Sequence, residues 1–190
     1  MFDLFFKEEL LMSAPSKRQH ILDAACRVVK ELGAVHLTLD AVAKEARVSK
    51  GGLLYHFPSK EALIQGMITH MDEKYLKNVE ALSRQDKESR GNWSRAYAIE
   101  TFNQVEGDKD IFPALLAGIA TSPDSLEPLK QTYGHLRKRL EDDGIDPLKS
   151  NLIRLASDGL WFSELFGLDP LEPYMRSKVL EELIRLSKEN

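Results

Sequence analysis

Between Ser49 and Lys60 the chain reads Ser-Lys-Gly-Gly-Leu-Leu-Tyr-His-Phe-Pro-Ser-Lys. Two lysines, two serine hydroxyls, a phenol and an imidazole in so short a run suit noncovalent capture of an anion, because each can donate a hydrogen bond or carries positive charge. They do not suit bond-making. The 190 residues contain no Gly-rich phosphate loop, no Cys/His metal spacing and no Gly-x-Ser-x-Gly elbow. His70 and His135 each stand alone at a helical position and read as structural, and Asp142-Asp143 reads as a solvated loop. No catalytic residue, metal or cofactor is expected, and the chain is not expected to be an enzyme.

The elements that must hold these donors are short helices. Ser49 is a good N-cap, Val48 and Leu53 have the spacing of a hydrophobic staple, and Phe57-Pro58 stops the helix because the residue before proline avoids the α region. Ser59 caps the next helix, with Glu61 in its first turn. Upstream, Thr38 caps a helix whose Leu39, Val42, Ala43 and Ala46 share one face. Only Arg47 and Val48 separate that helix from the Ser49 cap. Two helices so tightly joined match a helix-turn-helix, whose second helix enters the DNA major groove. Lys50, Gly51, Gly52, Tyr55 and His56 fall on or near its outer side. Each glycine inside a helix costs about 1 kcal/mol against alanine. Close approach of a nucleic acid is one use for the pair; the milder penalty of a capped first turn is the other reading.

Residues 17–63 resemble the DNA-binding domain of TetR-family transcriptional regulators, and the run Ser49 to Leu63 carries the resemblance. One departure is Arg47, where many members have glycine. The resemblance implies that Thr38, Tyr55, His56 and Lys60 hold phosphates, and that Lys50, Gly51, Gly52 and Leu53 lie against base edges, with Ser49 at the same face. It implies an all-α fold of about nine helices. A three-helix DNA-binding domain spans 16–60, and a helical ligand-binding and dimerisation domain spans 61–190. Residues 1–15 form an extension. Its apolar Met1–Met12 reads as a mis-called start or appended residues, an ordered arm, or a disordered tail.

Composition agrees with a globular chain: 43% hydrophobic and 29% charged residues. One cysteine excludes an internal disulfide framework, and no apolar run approaches the ~20 residues of a membrane span. A cytoplasmic protein without membrane contact is expected. The net charge of −4 is unevenly spread. Residues 13–60 hold eight Lys/Arg against four Asp/Glu, giving +4, and the acidity lies elsewhere. DNA docking depends on the local field, not the total.

Further helices are expected over 16–32, where Ser16 and Gln19 suggest a capping box, over 60–82, 92–106, 110–121 and 125–142, from Pro147 to about Gly167, and over 172–187. The helix from Pro147 is apolar nearly all round, which implies burial by a second copy. Leu152, Leu155, Ala156, Gly159, Ser163, Val179 and Leu183 are the candidate homodimer interface. The family resemblance further implies a small-molecule effector. Met67, Met71, Phe102, Phe112, Leu116 and Trp161 are candidate walls for it, with Tyr97 and Asn103 as polar anchors; a dry core is the plainer reading of any one of them. Together these readings give a repressor released from a near-palindromic double-stranded operator by an apolar or amphipathic ligand. The alternative is an all-α interaction or enzyme domain with a purely structural helix-turn-helix.

Overall fold

The computed structural model describes residues 16–107 and 126–189. They fold as eight α-helices, α1 Lys17–Leu32, α2 Leu39–Glu45, α3 Lys50–His56, α4 Lys60–Gln85, α5 Asn92–Gly107, α6 Glu127–Glu141, α7 Pro147–Phe166 and α8 Pro173–Leu186. The expected helix over 110–121, with Phe112 and Leu116, and the extension 1–15 lie outside the described residues. Two compact units are present, and the division falls within α4, between Met67 and Ile68.

In the first unit, local signals set the helix ends. The hydroxyls of Ser16, Thr38, Ser49 and Ser59 accept from Gln19 N, Ala41 N, Gly52 N and Ala62 N at 3.1–3.2 Å. Each satisfies an amide that the helix itself cannot. α1 buries Ile21, Leu22, Ala25, Val28 and Val29 on one stripe. A 3-10 turn, Ala34–His36, follows Gly33 and was not legible in the sequence. Arg27 pairs with Glu45 at 2.7 Å, and His20 Nε2 meets Ala46 O at 2.9 Å, fixing α1 against the end of α2. Phe57, 2% exposed, sits under the Arg18 guanidinium, 5.1 Å from the ring centroid. A Cβ on Gly66 would stand 2.6 Å from the Phe57 ring, so glycine permits this contact. Leu63, Ile64 and Met67 are also buried, which makes the first two turns of α4 part of this core.

In the second unit, α5 is the central element. Ala98 and Phe102 join Ile145, Ile153, Leu160 and Leu183 in one cluster, while Ala96 and Tyr97 join Val79, Leu136 and Leu140 in another. The start of α5 is tied from a distance. Asp143 accepts from Trp93 N at 3.0 Å and Ser94 N at 2.7 Å, so it caps a helix 50 residues upstream. The solvated loop expected there is therefore wrong for Asp143, which is 5% exposed. Arg95 pairs with Asp86 at 2.6 Å and donates to Glu88 O and Ser187 Oγ. Gly91, at φ +72°, lies inside this knot.

α7 begins as its sequence dictates: Asp146 caps it through Leu148 N at 2.9 Å, and Gly167 ends it at φ +62°. Within this chain one of its faces is buried. Ser150, Ile153, Ser157 and Leu160 face inward, the two serines bonding to Pro147 O and Ile153 O. Leu148, Leu152, Leu155, Phe162 and Phe166 face outward, between 43% and 66% exposed. Small hydroxylic residues can line a core if they return their hydrogen bonds to their own helix. The large apolar side chains are thereby left on the opposite face.

Candidate nucleic-acid interface

α3 is seven residues long and held at both ends. Ser49 caps it, and the Phe57 amide closes it onto Leu53 O at 2.8 Å. Leu53 is fully buried, which orients the helix: successive residues turn by about 100°, so Gly51 and Tyr55, two residues to either side, point away from the core, and Lys50 at the first position is exposed. Leu53 is consequently withdrawn from the base-edge residues. It is the apolar anchor of the helix, the staple position, and cannot reach outward at the same time. Tyr55 is 85% exposed and meets His56 edge-on, with centroids 5.1 Å apart. Thr38 and Ser49 are exposed at their caps, and Lys60 is half-buried at the start of α4. The turn before α3 holds Arg47 at φ +53°. Its side chain is exposed and adds a cation at the position where glycine was expected to be usual.

Gly51 and Gly52 differ. A Cβ on Gly52 would lie 3.2 Å from the Ser49 hydroxyl, a tight contact with the cap itself. At Gly51 an added Cβ meets nothing within 4 Å. The protein's own packing therefore does not require glycine at 51. Gly51→Ala is expected to raise stability by up to about 1 kcal/mol through helix propensity. If DNA occupies the space, the same change lowers operator affinity roughly tenfold or more, a cost of ~1.4 kcal/mol or greater. Urea unfolding and fluorescence anisotropy read the two effects; gains in both would remove the glycine from the interface.

Residues 91–188 match the family described as "Tetracyclin repressor-like, C-terminal domain", and residues 21–67 match "Bacterial regulatory proteins, tetR family". The chain belongs to the TetR family. It is a DNA-binding transcriptional regulator of that family, built on an N-terminal helix-turn-helix and a C-terminal helical domain. Among TetR-family structures it is similar to the multidrug binding protein EbrR solved with malachite green, at 26% identity and TM-score 0.66, over 90% of this chain and 98% of that one. A TetR-family member from Streptomyces coelicolor gives 26% identity and TM-score 0.66 over 89% and 98%. The HTH-type transcriptional regulator UidR of Escherichia coli is 36% identical over 69 residues, 36% of this chain and 35% of UidR. The nucleoid occlusion factor SlmA of Aliivibrio fischeri is 30% identical over 76 residues, 40% and 39% of the two chains. This TetR-family chain thus spans well under half the length of these two relatives.

Of the described effector candidates, Met67 belongs to the first unit, Phe102 and Tyr97 belong to different clusters of the second, and Met71 and Trp161 are half-buried. Asn103 is exposed. It lies one residue beyond the buried Phe102, and that 100° step turns its amide away from the core, so it is not an interior anchor. Tyr97 instead anchors a polar cluster that sequence reasoning missed. Its hydroxyl donates to Asp158 Oδ1, which also accepts from Tyr133 at 3.3 Å, while Arg154 donates to Oδ2 at 3.2 Å. Tyr75 meets the Tyr97 ring edge-on at 5.9 Å; its hydroxyl lies 2.8 Å from Thr101 Oγ1, which donates to Tyr97 O. Arg154 is a local i,i+4 partner of Asp158, but Tyr133 and Tyr97 lie 25 and 61 residues from it, beyond the reach of any local spacing rule.

Burial is the largest influence on these groups. It raises the Asp158 carboxyl above its usual range, pushes the Tyr133 phenol up to about 12 and pushes Tyr75 and Tyr97 higher still. The folded state thus holds the Asp158 proton more tightly than the unfolded chain. This contribution to stability is complete below the ordinary aspartate value of ~3.9 and is lost as pH rises through the raised one. Asp158→Asn is expected to flatten that part of the pH profile. Urea midpoints of both proteins across this window measure it, and parallel profiles would refute it.

The candidate interface residues of α7 and α8 also separate. Leu152, Leu155, Ala156 and Gly159 are exposed, and Ser163 is half-buried. Val179 packs beside the cluster that contains Leu183, and Leu183 is 7% exposed. Leu183 therefore belongs to its own subunit's core, because α8 turns that edge toward Ile153 and Leu160. Leu148, Phe162, Phe166, Tyr174 and Met175 are large exposed apolar residues of these two helices that the sequence reading did not select.

Proposed function

We propose that this regulator is a homodimeric repressor that leaves a near-palindromic operator when a small amphipathic molecule binds its second unit. Residues 16–60 serve DNA binding and 61–190 regulation and assembly, in the cytoplasm. The observation that carries the reading is the outward face of α3, where Lys50, Gly51, Gly52 and Tyr55 stand exposed around a buried Leu53. A single short helix reads too few base pairs to find its target among ~10⁶ or more competitors, so two copies are required. The outward apolar residues of α7 support a second copy of this chain as their cover.

The effector proposed is an aromatic cation. EbrR has been solved with malachite green and with ethidium. In this chain the Tyr97 and Tyr133 hydroxyls meet the Asp158 carboxylate and the Tyr75 ring lies edge-on to Tyr97, and aromatic rings near a carboxylate suit such a cation. The ligand would compete with Arg154 for Asp158. α4 carries Lys60 at its start and Tyr75 about four turns later, one helix serving both tasks. Release requires the ligand to prefer the DNA-incompetent state by about 1–3 kcal/mol.

An electrophoretic shift with DNA from upstream of the protein's own gene, against competitor DNA, tests the reading. A competitor-resistant complex dissolved by ethidium is expected. A complex that competitor erases equally would favour a purely structural helix-turn-helix, and one that ignores ethidium would remove the cation.

A further inference from the structure

Lys50 is the first residue of α3, and its ammonium lies 2.9 and 3.1 Å from the two carboxylate oxygens of Asp40 in the first turn of α2. Both side chains stay in solvent, 59% and 72% exposed, so the ion pair does little for folding. A cation in the first turn of a helix also opposes the helix dipole. Stability gives no reason for Lys50 to stand here. Asp40 is odder still. From Thr38 to Lys60 the acids are Asp40 and Glu45, and Glu45 is matched by Arg27. That leaves Asp40 as the carboxylate beside the recognition helix. Phosphates repel a carboxylate, whereas a base edge can offer it a donor.

We propose that Asp40 and Lys50 together read one G·C base pair in each half of the operator. The proposal rests on α3 entering the major groove, where the N-terminal residues of a recognition helix meet base edges. A G·C pair presents guanine N7 and O6 as acceptors and, beside them, the cytosine N4 amino group as a donor. O6 and N4 are hydrogen-bonded to each other and so lie about 2.9 Å apart. Lys50 Nζ and the Asp40 oxygens are separated by the same interval, with donor and acceptor in the complementary order. Lys50 donates to guanine and Asp40 accepts from cytosine. An A·T pair also sets a donor beside an acceptor, adenine N6 and thymine O4. There the ammonium finds thymine O4 alone with a methyl group beyond it, so it loses the second acceptor that guanine N7 supplies. The empty space over Gly51 leaves room for the base edge to approach. The two side chains meet before docking, so less rotamer freedom is lost on binding.

Selection of duplexes from a randomised pool by the wild type, Asp40→Asn and Lys50→Ala tests this. Wild type should return a G·C pair at one fixed place in each half-site, and changing it to A·T should weaken binding roughly 5- to 150-fold. Asp40→Asn keeps the shape of the side chain and should lose that penalty or prefer adenine, which asparagine reads bidentately. Replacing the guanine by 7-deazaguanine should weaken the wild type and leave Lys50→Ala unaffected. Selection of the same pair with the same penalty by all three proteins overturns the proposal. So does an A·T choice by the wild type, or a Lys50→Ala defect that is equal on all duplexes with the salt slope lowered by about 1, the mark of a phosphate contact. Failure of every protein to select any sequence overturns the operator reading as well, which separates the two failures.

Discussion

Gly159→Trp is expected to leave the protein monomeric and to remove its operator binding. Nothing lies within 4 Å of a Cβ built on Gly159, so the subunit itself tolerates the larger residue. The position is one turn from Leu155 and from Phe162 on the outward apolar face of α7, where Phe162 and Phe166 stack at 5.9 Å. Helices that pack on small residues approach to about 8–10 Å, and an indole between them would hold them apart. A monomer keeps one recognition helix and loses the second half-site, so operator affinity should fall by a factor on the order of 100 or more, about 3 kcal/mol. Sedimentation velocity gives the oligomeric state and anisotropy the affinity. A wild-type monomer that binds tightly, or a dimeric variant at full affinity, would end the assembly model. Helical circular dichroism should match the wild type, because the cavity-free surface position carries no folding role.

Gly91→Ala, by contrast, should cost the fold itself about 2–4 kcal/mol. The backbone there is left-handed at φ +72°, which strains any residue with a Cβ by about 1–2 kcal/mol. The added methyl would stand 2.4 Å from the Ser187 carbonyl and 3.0 Å from Arg95 Nη1. Neither can yield freely. Arg95 is fixed by Asp86, Glu88 and Ser187, and Gly91 N donates to Asp143 O at 2.8 Å. For a chain of this length each kcal/mol moves the melting temperature by about 2–4 °C, so a drop of roughly 5–15 °C is expected. A calorimetric scan within 2 °C or so of the wild type would show the knot to be loose.

The DNA-binding unit was legible because its determinants are local. Caps sit three residues from the amides they satisfy, and the Phe57-Pro58 stop acts on its own neighbour. The failures came from helical phase and from distance. Leu53, Asn103 and Leu183 were each placed on the wrong side of their helices. One 100° step decides such cases, and periodicity does not resolve it. α7 misled for a related reason: its core face is built partly of Ser150 and Ser157, which polarity alone assigns to water. Asp143 and Asp158 were unreadable because their partners on α5 are about 50 and 61 residues away.

The encirclement of α5 has a further consequence, in time rather than in place. From Ser94 to Phe102 all its residues but Ile99 are buried, and its two sides feed two different clusters. No local fluctuation can bare those amides, so their protons exchange with solvent only when the whole unit opens. α3, seven residues long with two glycines and a single buried side chain, is expected to open at a lower cost despite its caps. The molecule thus keeps two clocks. The slow one in α5 counts global openings, and the fast one in α3 runs until a duplex stops it.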